Sequence, residues 1–184
     1  EMPKRIEAYD ISNIGNENIT ASMVVYADGK MKKSDYRVFS IKTTDGADDY
    51  GSMRETLRRR FSHIGDGTAS LGEAPDLILL DGGIGHVNAV LPLISDAELD
   101  IPVFGMVKDD RHRTRALVTP EGQEIRIDNN QAIFALIGNI QEETHRFAIT
   151  YHRQLRSKRL RYSELEFRES ARNGNRSCCG SSNP

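Results

Sequence analysis

Residues 76–81, with the sequence DLILLD, form a short apolar run closed by an aspartate. A continuous apolar run of this length is typical of a parallel strand that is covered on both faces of a sheet. The segment IPVFGMV, residues 101–107, has the same character. Between the two runs, Gly82-Gly83-Ile84-Gly85 leads into a predicted helix that extends to about Ala97. These elements predict a β-α-β unit at the centre of the fold.

Three β-rich segments precede this unit. The segment RIEAYDIS alternates and then stops at a polar cluster, which predicts a strand that ends near Asp10. Residues 19–26, ITASMVVY, form a second run, followed by Asp28-Gly29, a strong signal for a tight hairpin. Residues 34–42, SDYRVFSIK, are expected to return as a third strand. We therefore expect an antiparallel meander of three strands.

Helices and a second hairpin complete the predicted domain. An apolar face with helical spacing spans residues 48–61, and the arginines of that segment are expected mostly on other faces: Arg54, Arg58, Arg59 and Arg60. A hairpin around Pro120-Glu121-Gly122 and a helix from about Asn130 to Arg159 follow. The order predicts an α/β fold in which a mixed sheet of three antiparallel and then parallel strands is flanked by helices. We assign residues 1–162 to this domain and expect 163–184 to be a disordered tail, because its end is rich in Gly, Ser and Asn.

Composition excludes several classes of protein. With 184 residues, 38% hydrophobic and 28% charged, the chain has the profile of one ordinary globular domain. It has no apolar run near the roughly 20 residues that span a bilayer and no signal-peptide pattern, so we expect a cytoplasmic protein without a membrane partner. The two cysteines, Cys178 and Cys179, are adjacent in the polar tail and are assigned no role.

Asp10 and Asp81 are the first candidates for chemistry. If their strands are parallel neighbours, both carboxylates emerge at the carboxyl edge of the sheet, where open α/β sheets place their sites. Two such carboxylates repel unless a cation lies between them, and hard oxygen ligands favour Mg²⁺ or Mn²⁺. Spacing alone leaves an alternative open, in which Asp10 forms a turn and Asp81 caps the next helix.

A histidine and a cationic stretch lie on the last predicted helix. His145 and His152 are seven residues apart, which places them two turns apart on nearly the same face. Although the whole chain has a net charge of −2, the stretch between His145 and Arg161 holds six basic residues with no acid among them: Arg146, Arg153, Arg156, Lys158, Arg159 and Arg161. This distribution favours contact with nucleic-acid phosphates over a merely solvated face.

The turn Asp81-Gly82-Gly83-Ile84-Gly85 has a rival interpretation as a phosphate-binding turn at a helix N-terminus. It lacks both the full dinucleotide-binding fingerprint and the Lys-Ser/Thr pair of a P-loop. An aspartate that leads into the turn would also repel a phosphate. We therefore expect no nucleotide cofactor.

Five segments in order carry a resemblance to a known family: YDISNIGNENITASMVVYADGKMKKSDYRVF, MRETLRRRF, DLILLDGGIGHVNAVL, IPVFGMVKDDRHRT and THRFAITYHRQLRSKR. Together they closely resemble the C-terminal nuclease half of UvrC, the incising subunit of bacterial nucleotide excision repair, over about residues 4 to 163. The resemblance implies a ribonuclease H-like fold that cuts DNA on the 5′ side of a lesion with a divalent metal. It assigns catalysis and metal binding to Asp10, Asp81 and His145, with Asp110 a possible further ligand.

The resemblance also implies partners, which are damaged double-stranded DNA and, in a longer protein, UvrB. Two departures from the family stand out. The helix-hairpin-helix region that usually follows the basic helix is replaced by RNGNRSCCGSSNP, and the amino-terminal modules are absent, which predicts a fragment. Two alternatives remain open at this point: an endonuclease V-like repair nuclease, and a non-catalytic module that binds DNA or a repair partner.

Overall fold

The computed structural model describes residues 3–14, 18–42, 48–68, 70–109 and 113–174. The chain divides into two compact units, Glu1–Ala148 and Ile149–Pro184. The first unit contains the sheet and the first two helices. None of the helices in the described ranges has a segment long and apolar enough to cross a bilayer.

The strands of the described chain form one mixed sheet. They are β1 Arg5–Ile14, β2 Asn18–Ala27, β3 Lys30–Met31, β4 Arg37–Ser40, β5 Leu77–Leu80, β6 Val103–Lys108, β7 Thr114–Val118 and β8 Glu124–Arg126. Their order across the sheet is β3-β2-β1-β5-β6-β7-β8, and β4 pairs with β2. β1 pairs in parallel with β5, and β5 with β6, whereas the remaining pairs are antiparallel. The predicted mixed α/β sheet is confirmed.

Helices cover the two faces of the sheet. α1, Asp49–Phe61, and α2, Ile84–Asp96, pack on one face, where Tyr9 lies in a cluster with residues of both helices. α3, Gln131–Gly174, packs on the other face through Ile137 and Ile140, in a cluster with Ile6 and Ala8. Because side chains alternate along a strand, Asp10 points to the same face as Ile6 and Ala8. The face covered by α3 therefore carries the first candidate residue.

The two predicted hairpin turns are confirmed. Asp28 and Gly29 have φ values of 52° and 78°, as a type I′ turn requires, and they join β2 to β3. Gly122, with a φ of +83°, lies in the turn between β7 and β8. These turns set the register of the pairs on either side.

Three element boundaries differ from the prediction. β1 continues past Asp10 to Ile14, because β2 pairs with it along its whole length. The predicted third strand, 34–42, is shorter and forms β4, Arg37–Ser40. A 3₁₀ turn, Lys33–Asp35, precedes it and directs Asp35 inward to the guanidinium of Arg5 at 2.8 Å. α3 extends through Gly174 and not only to about Arg159, and the end of the predicted tail, 175–184, lies outside the described residues.

A buried ionic network joins β1 to α1. Glu7 is fully buried and accepts hydrogen bonds from Arg60 at 2.8 to 3.2 Å and from Arg5 at 3.1 Å. The Tyr9 hydroxyl also donates to Glu7, at 2.7 Å. Arg60 is fully buried, whereas the arginines of this segment are expected mostly on faces other than the apolar one. Its guanidinium neutralises the buried charge of Glu7. Two carbonyl oxygens, of Leu71 and Glu73, accept its remaining hydrogen bonds.

Candidate active site

Asp10 and Asp81 lie side by side on neighbouring parallel strands. The pairing of β1 with β5 ends at Tyr9 and Leu80, and Asp10 and Asp81 are the next residues along the chain after each. The amide of Asp81 donates to the carbonyl oxygen of Tyr9 at 2.8 Å, which fixes the register at this point. The condition on which the sequence argument depended, that the two strands are parallel neighbours, is met.

The structural alternatives for the two aspartates do not fit the geometry. Asp10 lies within a strand and not in a turn. The residue that caps α2 is Gly83, with no side-chain hydrogen bond at the cap, so Asp81 is not a helix cap. Both side chains are only 9% exposed. Since neither carboxylate has a local structural task of the expected kind, their pairing needs another reason.

The electrostatic environment of Asp10 is unfavourable to its charge. Burial, and after it the negative charge of Asp81, raises the pKa of Asp10 to about 6. The Ser12 hydroxyl, which donates to Asp10 at 3.1 Å, lowers the pKa, as do the charges of His145 and Lys108. The groups of the protein therefore do not fully compensate the negative charge of Asp10.

Lys108 is the direct partner of Asp81. It is the last residue of β6, which runs parallel to β5, and it points to the face covered by α3 because Phe104 and Met106 do. Its ammonium lies 2.7 Å from Oδ1 of Asp81 and donates to Oδ2 at 2.9 Å. Asp81 is therefore held at both oxygens by a cation of the chain itself.

His145 is exposed on α3 and contributes to the electrostatic field at Asp10. It lines a cavity of about 650 Å³ together with Lys108, Arg113 and Phe134. Within the described ranges, no group of three or more His, Cys, Asp or Glu side chains could hold a metal ion as the side chains stand. Asp110, the possible further ligand, lies outside the described residues.

A buried hydroxyl bears on whether a metal fits here. Ser22 lies directly opposite Asp10 in the β1–β2 pair, and opposed residues of an antiparallel pair share one face of the sheet. Its Oγ is buried and has no hydrogen-bond partner among the described residues. Ions of the Mg²⁺ type keep several water ligands, which such hydroxyls can bind. Two hard carboxylates beside an unpartnered hydroxyl fit a hydrated divalent cation.

The predicted DNA-binding residues differ in their partners. Arg146 belongs to the first unit and is tied to Glu143 by two hydrogen bonds of 2.7 Å. Four more lie exposed on the part of α3 in the second unit: Arg153, Arg156, Lys158 and Arg161. The side chain of Arg159 lies outside the described residues. On the same segment, burial and then the charge of Arg156 lower the pKa of His152.

The glycine-rich turn after Asp81 has a packing explanation. A Cβ atom on Gly82 would overlap the ring of His86, and one on Gly85 would overlap the hydroxyl of Tyr50. The two aromatic side chains stack edge to face, with ring centroids 4.8 Å apart. The glycines therefore permit the close approach of α2 to its neighbours.

Sequence reasoning missed Lys108 and Ser22. A lysine that ends an apolar strand, next to another apolar strand that ends in aspartate, was the available signal for the first. For Ser22, the sequence offered no signal beyond its place in the β-rich run ITASMVVY. Both follow from strand neighbours, which the sequence does not reveal by itself.

The mixed sheet is that of a ribonuclease H-type endonuclease domain, as the match to a protein family shows. Residues 1–149 match the family model described as the UvrC RNase H endonuclease domain. The chain belongs to this family. It is 53% identical over 180 residues to UvrABC system protein C of Caldanaerobacter subterraneus subsp. tengcongensis, covering 91% of this chain and 29% of that protein. The same protein of Thermoanaerobacter pseudethanolicus is 54% identical over 177 residues, covering 90% and 28%.

The chain thus spans under a third of the length of these relatives. Solved structures of endonuclease V are distantly similar to this chain. The human protein is 18% identical with a TM-score of 0.40, over 67% of this chain and 62% of that one. The Ciona intestinalis protein, in complex with a 23mer DNA containing an inosine followed by a ribo-adenosine, is 18% identical with a TM-score of 0.42, over 58% and 46%. Structures this distantly similar do not inform the function of the chain.

Proposed function

We propose that the chain hydrolyses a DNA phosphodiester with a divalent metal, Mg²⁺ or Mn²⁺, held by Asp10 and Asp81. The observation that carries the proposal is the in-register placement of the two carboxylates at the carboxyl edge of neighbouring parallel strands. The raised pKa of Asp10 supports it, because a bound cation would relieve the repulsion that Asp81 adds. When bound, the metal would supply Lewis-acid activation of the phosphoryl group and of water.

The chain's own residues would do the positioning. Asp10 and Asp81 fix the centre, and the Ser12 hydroxyl holds one oxygen of Asp10. His145, exposed on α3, would orient the attacking water or accept its proton. The cavity beside it, lined by Lys108 and Arg113, would receive the phosphate of the strand being cut.

DNA affinity would come mainly from the basic residues of α3. Arg153, Arg156, Lys158 and Arg161 are exposed and available for binding phosphates. Arg146 is expected to contribute less, since Glu143 already neutralises it. In a longer protein, we propose that the domain makes the incision on the 5′ side of a lesion in nucleotide excision repair, with damaged duplex DNA and UvrB as partners.

Nicking of a lesion-containing duplex tests the proposal. Mg²⁺ or Mn²⁺ is added to the chain alone and to the chain with UvrB. Asp81→Asn should lower the nicking rate by about 100-fold or more, the usual size for the removal of a catalytic group, while the domain stays folded. The matched control is Asp128→Asn, because Asp128 is an exposed acid that pairs with Arg126. Nicking by Asp81→Asn at the wild-type rate would favour a module that only binds DNA or a partner.

A further inference from the structure

The ammonium of Lys108 occupies both oxygens of the Asp81 carboxylate, at 2.7 and 2.9 Å. We propose that Lys108 is a positioning residue that holds Asp81 in the metal-free protein and competes with the divalent cation for it. The inference rests on the proposed function, in which Asp81 is a metal ligand. It adds that metal binding is an exchange of one cation for another and not simple occupation of a ready site.

Competition follows from the donors that each cation needs. An ammonium and a divalent cation both use the lone pairs of the carboxylate oxygens, and here each oxygen of Asp81 already contacts Nζ. Two cations at one carboxylate would also repel each other. Asp10 differs, because its hydrogen bond comes from the neutral hydroxyl of Ser12, which leaves no charge to displace. The exchange is therefore confined to the Asp81 side of the site.

Lys108 has space to leave. Its side chain is 35% exposed and lines the cavity of about 650 Å³ that His145 and Arg113 also line. A long, flexible side chain can move there without disturbing β6. A backbone phosphate in the cavity would give the released ammonium a new partner. In the absence of DNA, we therefore expect Lys108 to weaken metal binding.

Calorimetric titration of Mn²⁺ into the full chain at neutral pH, without DNA, tests the inference. Lys108→Met keeps most of the length of the side chain and removes the charge. It should bind Mn²⁺ about three- to tenfold more tightly than the wild type, the size expected when one partly exposed ion pair no longer competes. A purely structural role predicts no gain in affinity, so an increase is diagnostic.

Lys32→Met is the matched control. Lys32 is 37% exposed and pairs at 3.2 Å with Asp35, which is 4% exposed, so it reproduces the exposure and the buried partner of Lys108 away from the candidate site. Its Mn²⁺ affinity should equal that of the wild type. Lys108→Arg retains a cation and should bind Mn²⁺ nearly as weakly as the wild type.

Arg113→Met separates direct competition for Asp81 from the general effect of a positive charge near the site. Arg113 lines the same cavity but pairs with Asp109 at 3.2 Å. An equal gain in affinity in Arg113→Met and Lys108→Met would overturn the inference. So would an unchanged or weaker affinity in Lys108→Met, provided that Asp81→Asn abolishes binding. Mn²⁺ binding that does not depend on Asp81 would instead overturn the metal site of the proposed function, and the inference with it.

Discussion

Strand β1 carries two buried acids, three residues apart, in opposite environments. Glu7, on the face of α1, is surrounded by the guanidinium groups of Arg60 and Arg5 and by the Tyr9 hydroxyl. Asp10, on the face of α3, accepts a neutral hydrogen bond from Ser12 and lies beside a second carboxylate, Asp81. The same strand therefore holds one acid whose charge is satisfied and one whose charge is not.

The difference separates a structural acid from a functional one. A buried charge that is fully paired within the chain has no need of a ligand. A buried charge that shares its site with a like charge destabilises the fold unless a cation arrives from outside, and the raised pKa of Asp10, about 6, expresses that cost. Glu7 and Asp10 are both buried, so burial does not distinguish them. The candidate site is distinguished by the charge of Asp10, which the chain does not fully compensate.

Glu7→Gln should have the largest effect on the stability of the fold. It removes the anion but leaves the guanidinium groups of Arg60 and Arg5 buried, which costs about 3–5 kcal/mol of unfolding free energy. Denaturant unfolding at neutral pH measures it. The control is Glu124→Gln, which breaks an exposed pair with Arg115 at 3.0 Å and should cost less than about 1 kcal/mol. Equal costs in the two variants would contradict the structural role of Glu7.

Asp10→Asn should raise the free energy of unfolding, whereas Glu7→Gln should lower it. The pKa of Asp10 is raised to about 6 in the folded state from a usual value of 3.8. Ionisation therefore opposes folding as the pH rises through this window, and it has no effect well below the usual value, where both states are protonated. Without metal at neutral pH, the asparagine should raise the unfolding free energy by on the order of 2–3 kcal/mol.

Denaturant unfolding across this pH range checks the sign. The gain of Asp10→Asn over the wild type should shrink steadily as the pH falls from about 7 to about 4. A variant that is less stable at neutral pH, or whose difference from the wild type does not change with pH, would show that Asp10 is a compensated acid like Glu7.

Charge reversal on α3 should have the smallest effect for each site changed. Arg153→Glu and Arg156→Glu are expected to weaken binding to all DNA sequences alike and to lower the log–log salt slope by about 0.9 for each phosphate that is no longer neutralised. Arg126→Glu is the control, because Arg126 is exposed but pairs with Asp128. Binding measured by fluorescence anisotropy at several salt concentrations, with an unchanged slope, would exclude this surface from the DNA interface.

The strands that carry Asp10 and Asp81 to the edge of the sheet could be predicted, because each aspartate follows a run of residues whose pattern predicts a strand. That the two strands are neighbours was a condition of the argument, and the structure meets it. Apolar content predicted the central strands, and parallel neighbours bring their carboxyl ends together. The extension of β1 to Ile14 could not be predicted in the same way. It depends on pairing with β2 over ten residues, and RIEAYDIS shows only a polar cluster at that point.

The buried charges could not be assigned from periodicity. The arginines of α1 were expected mostly on faces other than the apolar one, and arginine is rarely buried without a partner. The signal was available in β1, where Glu7 lies between Ile6 and Ala8 and must find a cation if the strand is covered. Which of the arginines of α1 meets it depends on tertiary packing. The same holds for Lys108, whose partner Asp81 directly follows the neighbouring strand β5, 27 residues earlier in the chain.

The claim that Asp10 and Asp81 form the metal site is tested most directly by the thermal midpoint of unfolding with and without Mn²⁺ at neutral pH, for the wild type and Asp10→Asn. A ligand at 100 times its Kd stabilises the folded state by about 2.7 kcal/mol. We predict that Mn²⁺ raises the midpoint of the wild type, and that Asp10→Asn is more stable without metal but gains little from it. An equal rise in both proteins would contradict the claim that the carboxylate pair is the metal site.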